Sequence, residues 1–122
     1  MSVYAIIGSG AAGLAAANAI RARDPAGQIL ILTDDPHGHY SRPGLAYVLS
    51  GELPEKQVAQ FPREVFLKQK LQFIESAVQA VHPAEHALRL HDGRALRYDR
   101  LLIATGAAAA MPDTPGMQLE GV

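Results

Sequence analysis

The sequence of 122 residues contains no cysteine, and this absence limits its chemistry. Structural disulfides, thiolate metal sites, cysteine nucleophiles and a redox-active dithiol are all excluded. An excess of charge of either sign is also lacking, because 11 Lys and Arg stand against 12 Asp and Glu. Without a broad positive field, neither nucleic acid nor anionic lipid is expected as a partner.

Long hydrophobic runs are missing as well. The first apolar run, Val3–Ile7, is far shorter than a membrane span or a signal-peptide core. We therefore predict a cytoplasmic protein with no membrane partner. The length and the apolar fraction of 48% fit a single compact domain.

The N-terminal third of the sequence predicts a strand, a helix and a second strand. Val3–Ile7 is a continuous apolar run ended by glycine, which is typical of a parallel strand buried on both faces. The alanine-rich residues 11–23 predict a helix that ends before Pro25, and residues 28–32 predict the second strand. This length matches one βαβ crossover.

The rest of the sequence adds shorter elements. A loop leads to a short helix at residues 45–49, and a second helix is predicted from Phe61 to about Leu71. β character from Phe73 onward, with the turn Asp92-Gly93, predicts a small antiparallel meander. Residues 101–104 predict a further buried strand, followed by a structureless exit. The predicted fold class is α/β, a Rossmann-like βαβ fold with a parallel sheet and a small antiparallel β-meander.

Three glycines lie at the predicted turn between the first strand and the helix. In a turn that binds a pyrophosphate, the first glycine makes the turn, the second lets the backbone approach the phosphates and the third lets helix and strand pack closely. Gly8, Gly10 and Gly13 have this spacing, and the N–H groups of the predicted helix would face the anion. The alternative is a tight turn with no ligand.

An acidic residue after the second strand would bind the adenosine ribose of such a dinucleotide. Asp34 lies 21 residues after Gly13, close to the expected offset. Asp35 competes with Asp34 for this role, because spacing alone leaves one residue of slack. The five histidines show no metal-ligand spacing and are expected at solvated positions, and no metal is expected.

Four motifs then follow one another in the sequence: YAIIGSGAAG at residues 4–13, ILTDDP at 31–36, YSRP at 40–43 and DRLLIATG at 99–106. In this order they resemble the pyridine nucleotide-disulfide oxidoreductase superfamily. They are most similar to its branch without a redox disulfide, which includes ferredoxin and rubredoxin reductases, the FAD module of NADH-dependent nitrite reductase, and apoptosis-inducing factor. The resemblance covers essentially the whole chain.

The resemblance implies an FAD site whose residues can be assigned one by one. Asp34 (or Asp35) would hold the adenosine ribose, the backbone of Val78 would meet the adenine, and Thr105 and Gly106 would return the chain to the dinucleotide. Arg42, followed by Pro43, would contact the pyrophosphate or the flavin edge. The pyrophosphate would be held by the six residues of the turn, namely Gly8, Ser9, Gly10, Ala11, Ala12 and Gly13.

Each downstream assignment has a plainer alternative. Arg42-Pro43 can be a solvated loop, Thr105-Gly106 a strand terminator and Val78 an ordinary strand residue. The sequence also departs from many ferredoxin-reductase-like relatives, which carry a lysine near the flavin one turn after the arginine-proline motif. Tyr47 stands at that position here, so flavin tuning by a lysine is not expected.

The implied function is the FAD-binding segment of an NAD(P)H-dependent flavoprotein oxidoreductase. Its FAD would pass electrons from NADH or NADPH to an acceptor such as rubredoxin, ferredoxin or a fused nitrite-reductase centre. We expect residues 1–122 to be the first segment only of a discontinuous FAD domain, inactive alone and prone to self-association. The alternatives are a non-catalytic nucleotide-binding or interaction module, and an NAD-binding Rossmann domain.

Overall fold

A four-stranded parallel sheet forms the centre of the fold. The structure is a computed structural model that describes residues 1–59 and 63–121. Numbered along the chain, the four strands are β1 (Val3–Ile7), β2 (Gln28–Thr33), β3 (Leu71–Glu75) and β7 (Arg100–Ile103). They lie in the sheet in the order β3-β2-β1-β7. The two central strands are nearly unbroken runs of apolar residues, as expected for strands covered on both faces.

Helices connect these parallel strands on one side. The long helix α1 (Ala11–Arg23) joins β1 to β2 and buries Gly13, Leu14 and Ala17. Small side chains on this face let α1 lie close to the sheet. Between β2 and β3 the described residues form three short helices, α2 (Leu45–Leu49), α3 (Glu55–Val58) and α4 (Arg63–Lys68).

A three-stranded antiparallel meander lies between β3 and β7 in the chain. It consists of β4 (Val78–His82), β5 (Ala87–Leu90) and β6 (Ala95–Arg97). The turn at Asp92-Gly93 joins β5 to β6, and Gly93 has a φ of +86°, a conformation that suits glycine.

Two apolar clusters lie on the two faces of the parallel sheet, because alternate residues of a strand point to opposite faces. On the helix side, Ile6 and Ile31 pack with Leu14 of α1 and Phe66 of α4. On the meander side, Ala5 and Leu32 pack with residues of the meander and the segment after it, namely Leu88, Leu90 and Tyr98. The fold is therefore layered as helices, parallel sheet and meander.

The structure confirms the predicted βαβ unit, the short helix at residues 45–49, the parallel sheet and the meander. Two predictions about the fold are wrong. The strand predicted at residues 101–104 is not buried, because β7 lies at the edge of the sheet and Leu102 and Ile103 are exposed. The β region from Phe73 onward is not all meander. Phe73 belongs to β3, whose residues pair in parallel with β2, from Ile29 with Leu71 to Thr33 with Glu75. The side chain of Phe73 packs against the helix-side cluster, which places this strand in the main sheet.

Several boundaries also differ. The predicted helix near Leu71 ends at Lys68 instead, because Lys70 has a φ of +54° and Leu71 is buried at the start of β3. The first two residues of that predicted helix, Phe61 and Pro62, lie outside the described residues. Helix α3 was not predicted.

Asp99, predicted within the meander, follows β6, and its carboxylate accepts a hydrogen bond from the N–H of Val3 at 2.7 Å.

No helix in the described ranges is both long enough and apolar enough to cross a membrane.

Candidate functional site

A groove of about 630 Å³ opens at the edge of the sheet where the four parallel strands end. Pockets for small molecules and cofactors have volumes of this order. Three parts of the chain beyond the strands form most of its wall: the β1–α1 turn, the residues between β3 and β4, and the residues after β7. The lining residues among the predicted site are Gly8, Ser9, Gly10, Ala11, Ala12, Asp34, Arg42, Val78, Thr105 and Gly106.

The groove lies at the point where the order of the sheet reverses. From β1 the chain passes through α1 to β2 on one side, whereas β7 pairs with β1 on the other side. In open α/β sheets the connections on the two sides of such a point diverge and leave a crevice outside the carboxyl ends of the strands. The topology thus accounts for the position of the groove.

Gly8 and Gly13 are required by the protein's own packing. Gly8 has a φ of +112°, and a Cβ on it would collide with the carbonyl oxygen of Ala104, just after β7. A Cβ on Gly13 would collide with the carbonyl oxygen of Gly8. The close approach of helix and strand predicted for Gly13 is therefore present. The contact between Gly8 and the end of β7 was not predicted.

Gly10 differs from these two glycines. Among residues 1–59 and 63–121, a Cβ on Gly10 would meet nothing within 4 Å, although the residue lines the groove. Gly10 is also the N-cap of α1, and glycine has no side chain with which to cap this helix end. The first N–H groups of a helix have no acceptor within the helix, and the helix dipole makes this end positive. Open space and free donors together suit an anion.

Ser9 is buried and forms two hydrogen bonds, one through its hydroxyl and one through its carbonyl oxygen. It is 5% exposed, and its hydroxyl donates to the Oγ1 of Thr33 at 3.1 Å. Its carbonyl oxygen lies 2.7 Å from the Nδ1 of His39. Contrary to the sequence expectation for the histidines, His39 is partly buried and contacts the glycine turn.

The two candidate acids after β2 lie in different places. Asp34 is exposed and lines the groove. Asp35 does not line it. Its carboxylate is 17% exposed, lies 3.9 Å from the guanidinium of Arg42 and faces a neighbouring cavity. Of the two acids that spacing left open, only Asp34 has its surface in the groove.

Arg42 brings a positive charge to the groove, and its side chain is 59% exposed. Its guanidinium carbon lies 5.8 Å from the centre of the Tyr40 ring. Pro43, which follows it, is exposed and is not among the lining residues. Gly13 is also not a lining residue, since it is buried between helix and strand.

The sequence left several lining residues unpredicted. Ser76 and Ala77 line the groove because they follow β3, and Ala104 and Ala107 do so because they follow β7. Ser76 and Ala77 could be expected in the groove once β3 is placed in the parallel sheet, since residues after a parallel strand lie at this edge of the sheet. The sequence analysis places residues from Phe73 onward in the meander and therefore does not predict them.

This arrangement suits a ligand with an anionic centre and hydroxyl groups on one side. The end of α1 and Arg42 provide positive charge, and the carboxylate of Asp34 can accept hydroxyl hydrogen bonds. Within the described ranges, no group of three or more His, Asp or Glu is arranged to hold a metal ion.

Comparison with known proteins agrees with this geometry. Residues 2–122 match the profile of the family described as pyridine nucleotide-disulphide oxidoreductase. The chain belongs to this family. The match covers nearly every residue, including all those that line the groove.

Individual relatives are similar over almost the whole chain. The epsilon subunit of NADH-dependent phenylglyoxylate dehydrogenase from Aromatoleum evansii is 37% identical, over 93% of this chain and 27% of the relative. The probable ferredoxin reductase CtmF from Castellaniella defragrans is 35% identical, over 96% of this chain and 29% of the relative.

Among solved structures, the ferredoxin reductase for the CYP199A2 system from Rhodopseudomonas palustris superposes with a TM-score of 0.87 at 31% identity. That superposition covers 98% of this chain and 30% of the reductase. The chain therefore spans less than a third of the length of these relatives.

Proposed function

We propose that this chain is the FAD-binding part of an NAD(P)H-dependent flavoprotein oxidoreductase that delivers electrons to an acceptor protein. The observation that carries the proposal is the groove at the strand ends, where the open Gly10 and the uncapped end of α1 face the same space as Asp34 and Arg42. Membership of the family and the ferredoxin reductases among the relatives support it.

The residues fit the adenosine diphosphate half of FAD. The pyrophosphate would lie against Gly10, Ala11 and Ala12, where the absence of a Cβ on Gly10 leaves room for phosphate oxygens. Asp34 would accept hydrogen bonds from the ribose hydroxyls. The adenine would lie beside Val78, and Thr105 and Gly106 would close the groove from the side of β7.

Arg42 would neutralise charge on the pyrophosphate. Asp35, 3.9 Å away, would restrict the position of the guanidinium. Gly13 and Pro43 would act indirectly, Gly13 by letting α1 approach the sheet and Pro43 by restricting the backbone after Arg42. We propose no contact between either residue and the cofactor.

When bound, FAD supplies the redox chemistry, which is acceptance of a hydride from NADH or NADPH and release of the electrons to an acceptor. The chain's own part is to bind and orient the dinucleotide. It contains no cysteine to relay electrons as a dithiol, so a small iron–sulfur protein such as a ferredoxin or rubredoxin, or a fused metal centre, is the proposed acceptor. We further propose that the chain is one segment of a discontinuous FAD domain.

A titration of the chain with FAD, followed by quenching of flavin fluorescence, tests the proposal. We expect saturable binding that ADP displaces and FMN does not, because the groove residues address the adenosine diphosphate half. Tighter binding of NAD than of FAD would contradict the proposal and favour a nicotinamide-binding domain. Absence of binding to any of these dinucleotides would favour an interaction module.

The proposal includes a cytoplasmic location, where NADH and NADPH are available to such reductases. Fractionation of cells expressing the protein at its natural level tests this. Recovery with the membrane or the secreted fraction would contradict it.

A further inference from the structure

His39 lies in the loop after β2, outside the groove, and contacts the glycine turn from the protein side. Its Nδ1 is 2.7 Å from the carbonyl oxygen of Ser9. A carbonyl oxygen can only accept, so Nδ1 must carry the proton and donate it. His39 is not among the residues that line the groove.

The hydrogen bond between His39 and the Ser9 carbonyl determines the direction of the Gly10 N–H. In a trans peptide the C=O of one residue and the N–H of the next point in opposite directions, and no cis peptide is present in the described residues. The Ser9 carbonyl points to His39, so the N–H of Gly10 points away from it. Gly10 lines the groove, and its N–H donates to no backbone acceptor within residues 1–59 and 63–121.

The side chain of Ser9 adds a second constraint on the same residue. Its hydroxyl donates to Thr33, whose Oγ1 also accepts the N–H of Asp35 at 3.2 Å. Both hydrogen bonds of Ser9 thus tie the glycine turn to the end of β2 and the loop after it. The hydroxyl fixes where Ser9 lies, and the carbonyl bond to His39 fixes the rotation of the peptide plane.

We propose that His39 is a positioning residue for the dinucleotide. Its Nδ1–H holds the Ser9 carbonyl away from the groove and thereby directs the Gly10 N–H at the pyrophosphate. This inference rests on the proposed FAD function. It assigns to His39 an effect on ligands that carry a pyrophosphate, without contact between the imidazole and the ligand.

The imidazole also packs edge-on against Phe66, with ring centres 6.4 Å apart and planes at 85°. A test must therefore separate the ring from the donor. His39→Phe keeps a ring and removes the donor. His39→Asn removes the ring and keeps an N–H donor at the same number of bonds from Cα as Nδ1.

We expect FAD and ADP to bind about tenfold more weakly to the H39F chain, because one hydrogen bond is lost. Their affinity for the H39N chain should stay within about threefold of the original affinity. Adenosine, which lacks the pyrophosphate, should bind equally to all three chains. If affinity followed the ring instead, with H39F normal and H39N weakened, or if adenosine lost as much affinity as ADP, the proposal would be overturned in favour of simple packing.

A second measurement does not depend on ligand binding. Nitrogen-15 NMR of the imidazole at a pH where it is neutral should show the tautomer protonated at Nδ1. The amide resonance of Gly10 should move in H39F and much less in H39N. An imidazole protonated at Nε2 alone would contradict the inference. Failure of the unchanged chain to bind FAD, with these NMR results as expected, would instead count against the proposed function.

Discussion

At the scale of single residues, the three glycines of the turn have different physical roles. Gly8 and Gly13 avoid collisions with the protein's own backbone, whereas a Cβ on Gly10 would meet open space among the described residues. Sequence spacing treats the three alike. The structure separates residues needed for the fold from the residue that is free to serve binding.

Substitution of these glycines should therefore separate stability from binding. Gly10→Val should lower the free energy of unfolding by less than about 1 kcal/mol, because valine is a poorer N-cap than glycine but meets no backbone. It should weaken FAD binding at least tenfold, because the added side chain extends into the groove. Gly13→Ala should lower stability by about 2–4 kcal/mol, because its Cβ would collide with backbone. Thermal unfolding and FAD titration of both variants measure the two effects. Unchanged FAD affinity in G10V would contradict the prediction.

The two neighbouring acids offer a second residue-scale prediction. Asp34→Asn should weaken FAD and ADP binding about tenfold, because the variant lacks the carboxylate that we propose as the acceptor for the ribose hydroxyls. Asp35→Asn makes the same charge change and should alter the affinity by less than about threefold, since its carboxylate does not line the groove and its 3.9 Å ion pair with the exposed Arg42 is weak.

Dideoxy-ADP provides the corresponding ligand control, because it lacks both ribose hydroxyls. With this ligand the difference between the D34N chain and the original chain should disappear. A larger loss in D35N than in D34N would assign the ribose to the other acid.

At the scale of elements, one arginine joins three segments of the chain. The Arg21 guanidinium lies at the end of α1 and donates hydrogen bonds of 2.8–3.1 Å to backbone carbonyls of the turn before β2 and of the turn before β3. The accepting residues are Asp24, Pro25, Gly27, Gln69 and Lys70. Positive charge at a helix C-terminus is favourable in itself.

Loss of this arginine should destabilise the fold. Arg21→Ala should lower the free energy of unfolding by about 2–3 kcal/mol, and Arg21→Lys by about 1–2 kcal/mol, because an ammonium cannot reproduce the planar set of donors. Arg23→Ala, an exposed arginine in the same helical turn, is the control and should change stability by less than about 0.5 kcal/mol. Denaturant unfolding measures all three. Equal losses in the Arg21 and Arg23 variants would contradict the prediction.

Asp24 links stability to pH at the same end of α1. The hydrogen bond from the Tyr4 hydroxyl, followed by that from the Gly27 N–H, lowers the pKa of Asp24 below its ordinary value of 3.8. A carboxylate with a lowered pKa in the folded state stabilises the fold above its unfolded pKa. That stabilisation is lost as the pH falls through the folded pKa.

The melting temperature of the Asp24→Asn chain should therefore lie below that of the original chain at pH 7 and converge with it near pH 2. Tyr4→Phe should act in the same direction, because it removes the largest cause of the pKa shift. Asp113→Asn, which makes the same charge change in an exposed segment, is the control. If the difference in melting temperature between the D24N chain and the original chain stayed constant from pH 7 to pH 2, the proposed dependence of stability on the Asp24 carboxylate would be contradicted.

Elements whose signals are local could be predicted from the sequence. The apolar run of β1, the alanines of α1 and the glycine and proline residues at their ends lie within a few residues of each other. Membership of a sheet is not local. Leu71, Gln72 and Phe73 have the same β preference in either sheet, and their place beside β2 depends on pairing with residues about 40 positions earlier.

At the scale of the whole molecule, the groove combines segments that are far apart in the sequence. Most of the residues that line the groove could be predicted because the motifs resemble those of a known family. Ser76 and Ala77, which follow β3, belong to no motif and could not be predicted in this way. The contact of His39 with Ser9 joins positions 30 residues apart and could not be predicted from histidine spacing.

Self-association of the chain stays a prediction, and the exposed Leu102 and Ile103 on the edge strand β7 are where we expect it.

Because the groove joins the ends of all four parallel strands, ligand binding should stabilise the whole fold. A ligand that binds only the folded chain adds about 2.7 kcal/mol at a free concentration 100 times its Kd. For a domain of this size we expect the melting temperature to rise by roughly 8–14 °C. ADP at the same multiple of its own Kd should give a similar rise, since the groove residues address the shared half of the molecule. FMN should give almost none. FAD added to the Gly10→Val chain at the same concentration should give no more than about half the rise, because a tenfold higher Kd leaves about 1.4 kcal/mol of stabilisation. Differential scanning calorimetry with each ligand measures these shifts, and an equal rise with FMN would show that binding occurs outside the groove.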